Sequence, residues 1–250
     1  MARQDSEPKR QRRERGSINP DDIVAGAFEL AEQVTLDNLS MPMLGKHLGV
    51  GVTSIYWYFR KKDDLLNEMT DRAVREHLMS VEFPEVTGWR DMLATYARTM
   101  RATFLANPIL IDLILIRSTL SPKHGQIGAQ QIEQVVAGLV AAGLPLADAY
   151  DTFSAVQLHV RGFVVLARLG DKARDADPNS HAYYEDLEIT PENTPLLAEA
   201  TALGNTGGVP DDRNFEYGLE CILDHAAARL DATAGSAKRT TRRRTKSAGA

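Results

Sequence analysis

The stretch that most restricts what this chain can fold into runs from 39 to 66, LSMPMLGKHLGVGVTSIYWYFRKKDDLL. Ser40 is suited to cap a short helix carrying Leu44 and Leu48, and Gly49 stops it. Beyond Gly49-Val50-Gly51 the spacing predicts a second short helix from Val52 to Tyr58, with Ile55 and Phe59 on one inward face. An aromatic run, Tyr56-Trp57-Tyr58-Phe59, then meets the cations Arg60-Lys61-Lys62. Two short helices hinged on glycines, the second led by small polar residues and closed by positive charge, suit a helix-turn-helix whose second helix enters the major groove of DNA.

The flanks agree with that reading. Asn19-Pro20-Asp21-Asp22 combines a capping side chain, a proline at the first helical position and acids at the positive dipole end. Ile23, Ala27, Leu30, Ala31 and Val34 then recur at helical spacing. Asp63 or Asp64 opens a fourth helix bearing Leu65, Leu66, Met69, Ala73 and Leu78, and a break follows at Phe83-Pro84-Glu85-Val86-Thr87-Gly88. Helical periodicity resumes over 89–106, 109–118, 125–142, 146–169 and 214–230. The region 171–212 is acidic and rich in Pro, Gly and Asn; it reads as a long mobile insertion with one helix near 194–203. No strand pattern or internal repeat is found, and the predicted fold class is all-α.

Composition narrows the function. The chain is 43% hydrophobic and 25% charged, ordinary for a soluble globular protein. No apolar run approaches the roughly 18 to 20 residues of a membrane span, and the basic N-terminus lacks the apolar stretch of a secretory signal. A single cysteine, Cys221, excludes an internal disulfide and suits a reducing compartment. A cytoplasmic protein with no membrane partner is expected. Zinc-ligand spacing, a phosphate-binding glycine loop and a Ser/His/Asp set are all missing from the sequence, so neither enzymatic activity, cofactor nor metal is predicted.

The net charge of −5 conceals an asymmetry. Residues 1–16 carry +3 through Arg3, Lys9, Arg10, Arg12, Arg13 and Arg15, residues 236–250 carry +6, and the body between is left at −14. An acidic body with basic ends points to nucleic acid, with the ends as flexible phosphate contacts. A non-sequence-specific architectural DNA-binding protein using those tails is the alternative reading.

The motif closely resembles the DNA-binding signature of the tetracycline-repressor (TetR) family over about residues 18 to 70. The shared elements are the Leu-Gly-Val turn, a small-hydroxyl pair, the Ile-Tyr-Trp-aromatic-aromatic run, and the lysine before an acidic-Leu-Leu helix start. The resemblance implies that Met41 and Pro42, then Val52, Thr53 and Ser54, approach DNA, that Tyr56, Trp57 and Tyr58 meet backbone and thymine methyls, and that Lys62 holds a phosphate. It implies a ligand-responsive regulator, a repressor by preference, working as a homodimer on a palindromic operator. Where the tetracycline-specific members carry an arginine near the second helix start, Pro42 stands here, and Val52 favours methyl contact over hydrogen-bond readout.

Residues 17–80 are themselves net −4, so the arm containing Arg12 and Arg13 is expected to supply much of the affinity from the minor groove. Deleting residues 1–16 should flatten the salt dependence of operator binding; an unchanged salt slope refutes this.

The expected division is a basic flexible arm (1–17), a helix-turn-helix domain (18–80), a helical ligand-binding and dimerisation domain (86–232) and a basic disordered tail (233–250). A small-molecule effector pocket in the second domain is placed at Met100, Phe104, Leu113, Ile114, Gln157 and Phe163. Arg101, Asp112, Arg117, Gln157, His159 and Arg161 interrupt the apolar helices, and structural pairing is the expected role for most of them. His124 is similar in placement to a metal ligand of tetracycline binders, but no second ligand accompanies it.

Overall fold

A computed structural model describes residues 18–78, 88–117, 122–177, 188–205, 207 and 209–247, with side chains given for all of these except 122–124, 127 and 236–247. The described residues are helical and loop, with no strand among them. Three helices, α1 (Pro20–Val34), α2 (Met41–Leu48) and α3 (Val52–Tyr58), form the first unit, and α4 (Lys62–Ala73) leaves it, widening into a π-helical turn over Val74–Leu78. The second unit holds α5 (Trp89–Ala106), a short α6 (Pro108–Leu110) that continues as a π-helical segment Ile111–Ile116, α7 (Pro122–Ala141), α8 (Leu146–Ala176), α9 (Pro195–Ala202) and α10 (Asp212–Ser247).

Local chemistry sets the first unit. The Asn19 side chain accepts from the Asp22 N–H at 2.8 Å, capping α1 ahead of Pro20. Ser40 caps α2 through the Met43 N–H at 3.4 Å, and Gly49 ends it at φ 70, a left-handed turn that costs a glycine little. The stripe Ile23, Ala27 and Leu30 of α1, Leu44 of α2, Ile55 of α3 and Leu65, Leu66 and Met69 of α4 closes into an apolar core.

In the second unit α8 is central. Val156, Val160 and Val164 are buried against α5 and α10, where Leu93, Ala97, Phe215, Leu219 and Leu223 meet them. Arg101 lies over two rings, its guanidinium carbon 4.4 Å from the Phe163 centroid and 4.6 Å from that of Phe215, and pairs with Asp212. Arg98 grips the Glu216 carboxylate with Nε at 3.0 Å and a terminal nitrogen at 2.6 Å. That hydrogen bond holds the Glu216 carboxyl below the ordinary carboxylate range.

Two elements differ from the sequence expectation. α8 runs to Ala176, seven residues beyond the predicted end, because Asp171-Lys172-Ala173-Arg174 continues it with good helix formers and an Asp171–Arg174 ion pair at 2.6 Å. The expected disordered tail is helical as far as Ser247. Alanine, lysine and arginine add to an existing helix without a new nucleation step, so a segment with no core of its own still propagates it.

Buried Tyr96 gives the fold a pH signature. Its hydroxyl accepts from Gln157 Nε2 at 2.7 Å, and burial pushes its phenol up to about 12. A phenol whose folded pKa lies above its unfolded value near 10 stabilises the fold fully below pH 10, and that stability is lost as pH rises toward 12. We expect roughly 2 to 3 kcal/mol to disappear across that window, read as a falling urea midpoint, and Tyr96→Phe to remove most of that slope. A variant with an unchanged slope would assign the loss to another group.

Candidate nucleic-acid interface

The approach of α2 to α3 depends on Gly45. A Cβ there would lie 3.2 Å from the Val50 carbonyl oxygen and 3.3 Å from the Val52 nitrogen, contacts tighter than nearly all real Cβ contacts. The Val50 N–H closes the turn on the Gly45 carbonyl at 2.9 Å. α3 is then anchored by Ile55 and Phe59, both buried. The helix therefore presents Thr53, Ser54, Tyr56, Trp57 and Tyr58 outward, while Val52 packs partly against the core.

Thr53, Ser54, Tyr56 and Trp57 are exposed, and Trp57 is 80% accessible, so no packing role accounts for it. Tyr58 stands edge-on to Trp57 with centroids 5.2 Å apart and donates its hydroxyl to the Ile18 carbonyl at 3.2 Å. It is thus a strap that orients Trp57 and holds Ile18 ahead of α1, and it remains partly exposed. Val52 is half-buried and Pro42 exposed.

One sequence expectation needs correction. Met41 is 4% exposed, part of the core with Leu44; three-residue spacing puts it on the inner face of α2, and Met43 is the methionine that reaches the surface. Lys62, expected at a phosphate, already has two of its three ammonium donors engaged within the fold. Its ammonium donates to the Leu36 and Asp37 carbonyls, each at 3.1 Å, and ties α4 to the loop before α2. The exposed cations beside α3 are Arg60 and Lys61, which the sequence reading noted in the motif and did not select. The ends of an aromatic run with adjacent cations were the available signal. Arg12 and Arg13 lie outside the described residues.

The loop between α1 and α2 is also where the second unit grips the first. Asp112 is 3% exposed and accepts from Arg168 at 3.2 and 2.7 Å and pairs with Lys172 at 3.0 Å. Lys172 reaches on to the Asp37 carboxylate at 2.8 Å. Burial works against the Lys172 ammonium, but its hydrogen bonds to Asp37 and Asp112 outweigh that and raise its pKa above the ordinary value, while Asp37 lies below the carboxylate range chiefly through the same hydrogen bond. A second strut joins Arg117 to Asp63 at 3.4 Å. Thr35, at φ 66 in this loop, sits in a region that β-branched residues rarely occupy, held by the contacts around it.

The expected pocket residues fall inside the second unit. Phe104, Leu113, Ile114 and Phe163 are buried and Met100 packs against the same core. Gln157 is engaged with Tyr96, His159 contacts the Phe215 carbonyl at 2.8 Å, and Asp112 serves the strut described above. Among the described residues no group of three His, Cys, Asp or Glu side chains could hold a metal ion, and no single helix is long and apolar enough to cross a membrane.

Comparison with known proteins matches residues 23–69 to the model for bacterial regulatory proteins of the tetR family, and residues 83–230 to the tetracyclin repressor-like C-terminal domain. An HTH-type transcriptional repressor of Mycobacterium tuberculosis is 59% identical over 229 residues, covering 92% of this chain and 88% of that protein. The class A tetracycline repressor protein from transposon 1721 of Escherichia coli is 30% identical, over 85% of this chain and 92% of its own length. A crystal structure of a possible TetR family transcriptional regulator from Streptomyces coelicolor shares the fold with a TM-score of 0.64 at 22% identity, covering 84% of this chain and 99% of that one.

Proposed function

This chain belongs to the TetR family of regulators and is a sequence-specific DNA-binding transcriptional repressor, and on that premise we propose how it reads and releases its operator. Two copies dock their α3 helices in successive major grooves of a palindromic site, Thr53, Ser54 and Trp57 against base edges and methyls, Tyr56, Arg60 and Lys61 against phosphates. The observation that carries this is the pairing of a buried Ile55–Phe59 anchor with a fully outward Trp57 on the same short helix. The protein acts in the cytoplasm, where operator DNA is reached.

Dimerisation is supported by an apolar stripe that the fold leaves uncovered. Leu158, Leu166 and Leu169 are exposed along one side of α8, and Tyr217 is exposed on the adjoining α10. α8 therefore carries apolar residues on more of its circumference than one protomer buries. One recognition helix reads few base pairs, and a two-fold partner doubles the site.

A small molecule entering between α5, the π-helical segment and α8, near Met100, Phe104, Leu113, Ile114 and Phe163, would shift Asp112 and with it the Lys172–Asp37 strut. Widening the distance between the two reading units in this way spoils their fit to grooves about 34 to 36 Å apart. The match of both halves of the chain to regulators disfavours the purely architectural reading.

Selection of bound genomic fragments is the direct test, with an inverted repeat as the expected outcome and diffuse recovery as the contrary one. Trp57→Ala should then weaken binding to the recovered repeat about 10- to 100-fold, the worth of one good base contact, with thermal stability within about 0.5 kcal/mol of the parent because the side chain touches no core. Equal affinity for both proteins would remove Trp57 from the interface.

A further inference from the structure

Ile18 and the basic end of α10 lie at opposite extremes of the described chain. Ile18, the first described residue, lies at the DNA-reading end, where its carbonyl accepts from the Tyr58 hydroxyl of the recognition helix. α10 goes the other way. His159 of α8 stacks on Phe215 near the start of α10, and Asp148 near the start of α8 receives Arg229 at 3.0 Å. Contacts therefore step back along α8 as they step forward along α10, and the two helices are antiparallel.

The reading end of α8 is marked by Lys172 against Asp37. At 1.5 Å per residue, Asp148 lies roughly 36 Å from that point along the α8 axis. α10 passes it and continues to Ser247. Among the described side chains of α10, Leu230 is the last packed on the core, and the residues from there to the helix end span about 26 Å.

That extension has a distinct composition. Residues 231–250 contain no Val, Leu, Ile, Met, Phe, Tyr or Trp, while 236–250 contain Lys238, Arg239, Arg242, Arg243, Arg244 and Lys246 and no acid. Successive helix positions differ by about 100°, so Arg242, Arg243 and Arg244 occupy positions spread round the axis and define no single face. A surface helix that docks in a bilayer needs an apolar side to bury, which this one lacks. A polyanion of high linear charge density suits it, and duplex DNA carries one charge per about 1.7 Å of axis.

We propose that the C-terminal basic helix of α10 holds a second DNA duplex while the helix-turn-helix units hold the operator, so that a dimer bridges two segments of DNA. The division of labour follows from position: the distal helix is too far from the α3 surface to serve the same duplex. The proposal rests on operator binding by the α3 surface, and the test separates the two.

The inverted-repeat duplex recovered by selection is fixed to beads, loaded with full-length protein and washed, and retained protein is measured. A labelled 30-base-pair duplex of scrambled sequence is then added and its capture recorded against salt. The parent should capture it, with a log–log salt slope of about −5 from six phosphate contacts. A variant with Lys238, Arg239, Arg242, Arg243, Arg244 and Lys246 all changed to Gln, which keeps helix propensity, should be retained within about twofold and lose capture at least tenfold. Truncation after Gly235 should do the same.

Failure of retention by the parent itself would sink the operator reading. Normal retention with equal capture by parent and variant would overturn the bridging proposal. So would a matching loss of retention in the variant, which would put the helix on the operator. Loss of binding to phosphatidylglycerol vesicles with no capture of the duplex by the parent would also overturn it, in favour of a membrane partner.

Discussion

Replacing Asp112 by Ala is expected to destabilise the protein by about 3 kcal/mol, because it leaves the Arg168 guanidinium half-buried without its carboxylate and leaves the Lys172 ammonium with Asp37 alone. For a chain of this size that corresponds to a fall in Tm on the order of 10 °C. The reason is asymmetry: removing one partner of a buried ion cluster exposes the full desolvation cost of the others, whereas the net worth of the intact cluster is modest. Changing Asp112 to Leu together with Arg168 and Lys172 to Met should therefore recover much of the loss. Operator binding by that triple variant separates stability from signalling. With the strut to Asp37 gone, the reading units should lose their fixed separation and the variant should respond weakly to effector. Thermal unfolding of the single variant near the parent Tm would show that Arg168 does not need the Asp112 carboxylate to offset its burial.

The second large effect concerns assembly. Leu158→Glu combined with Leu166→Glu puts two carboxylates on the uncovered stripe of α8 without touching the core of one protomer. We expect a folded monomer by light scattering and a drop in operator affinity on the order of 10² to 10⁴, since each half-site then binds without the effective concentration supplied by its twin. A variant that remains dimeric with parental affinity would move the interface to another face.

How much of this was legible in the sequence depended on whether the deciding contact was local. Asn19, Ser40 and Gly49 act on neighbours within four residues, and the helix starts and stops they predict are observed. Ile55 and Phe59 declared their inward face by spacing alone. Met41 misled because a family pattern of DNA contact was carried onto a position whose spacing from Leu44 makes it core. The structural role of Lys62 was not legible because its acceptors are main-chain carbonyls 25 and 26 residues earlier, which no side-chain pattern announces. The partners of Asp112 lie 56 residues or more away, so its charge could be flagged as anomalous but not assigned. The end of α10 was misjudged for another reason: an Ala/Lys/Arg/Thr segment is equally compatible with a free tail and with a continued helix, and only the presence of a helix upstream decides between them.

Gly45 has a consequence for how such a repressor changes over generations. The residue fixes the angle at which α3 is held, because its missing Cβ lets the Val50–Val52 backbone close in. Thr53, Ser54 and Trp57 make no comparable demand on the scaffold. On the proposed interface, substitution at the exposed positions should change operator preference while the posture of the reading helix is kept, so a new target would not require a new fold.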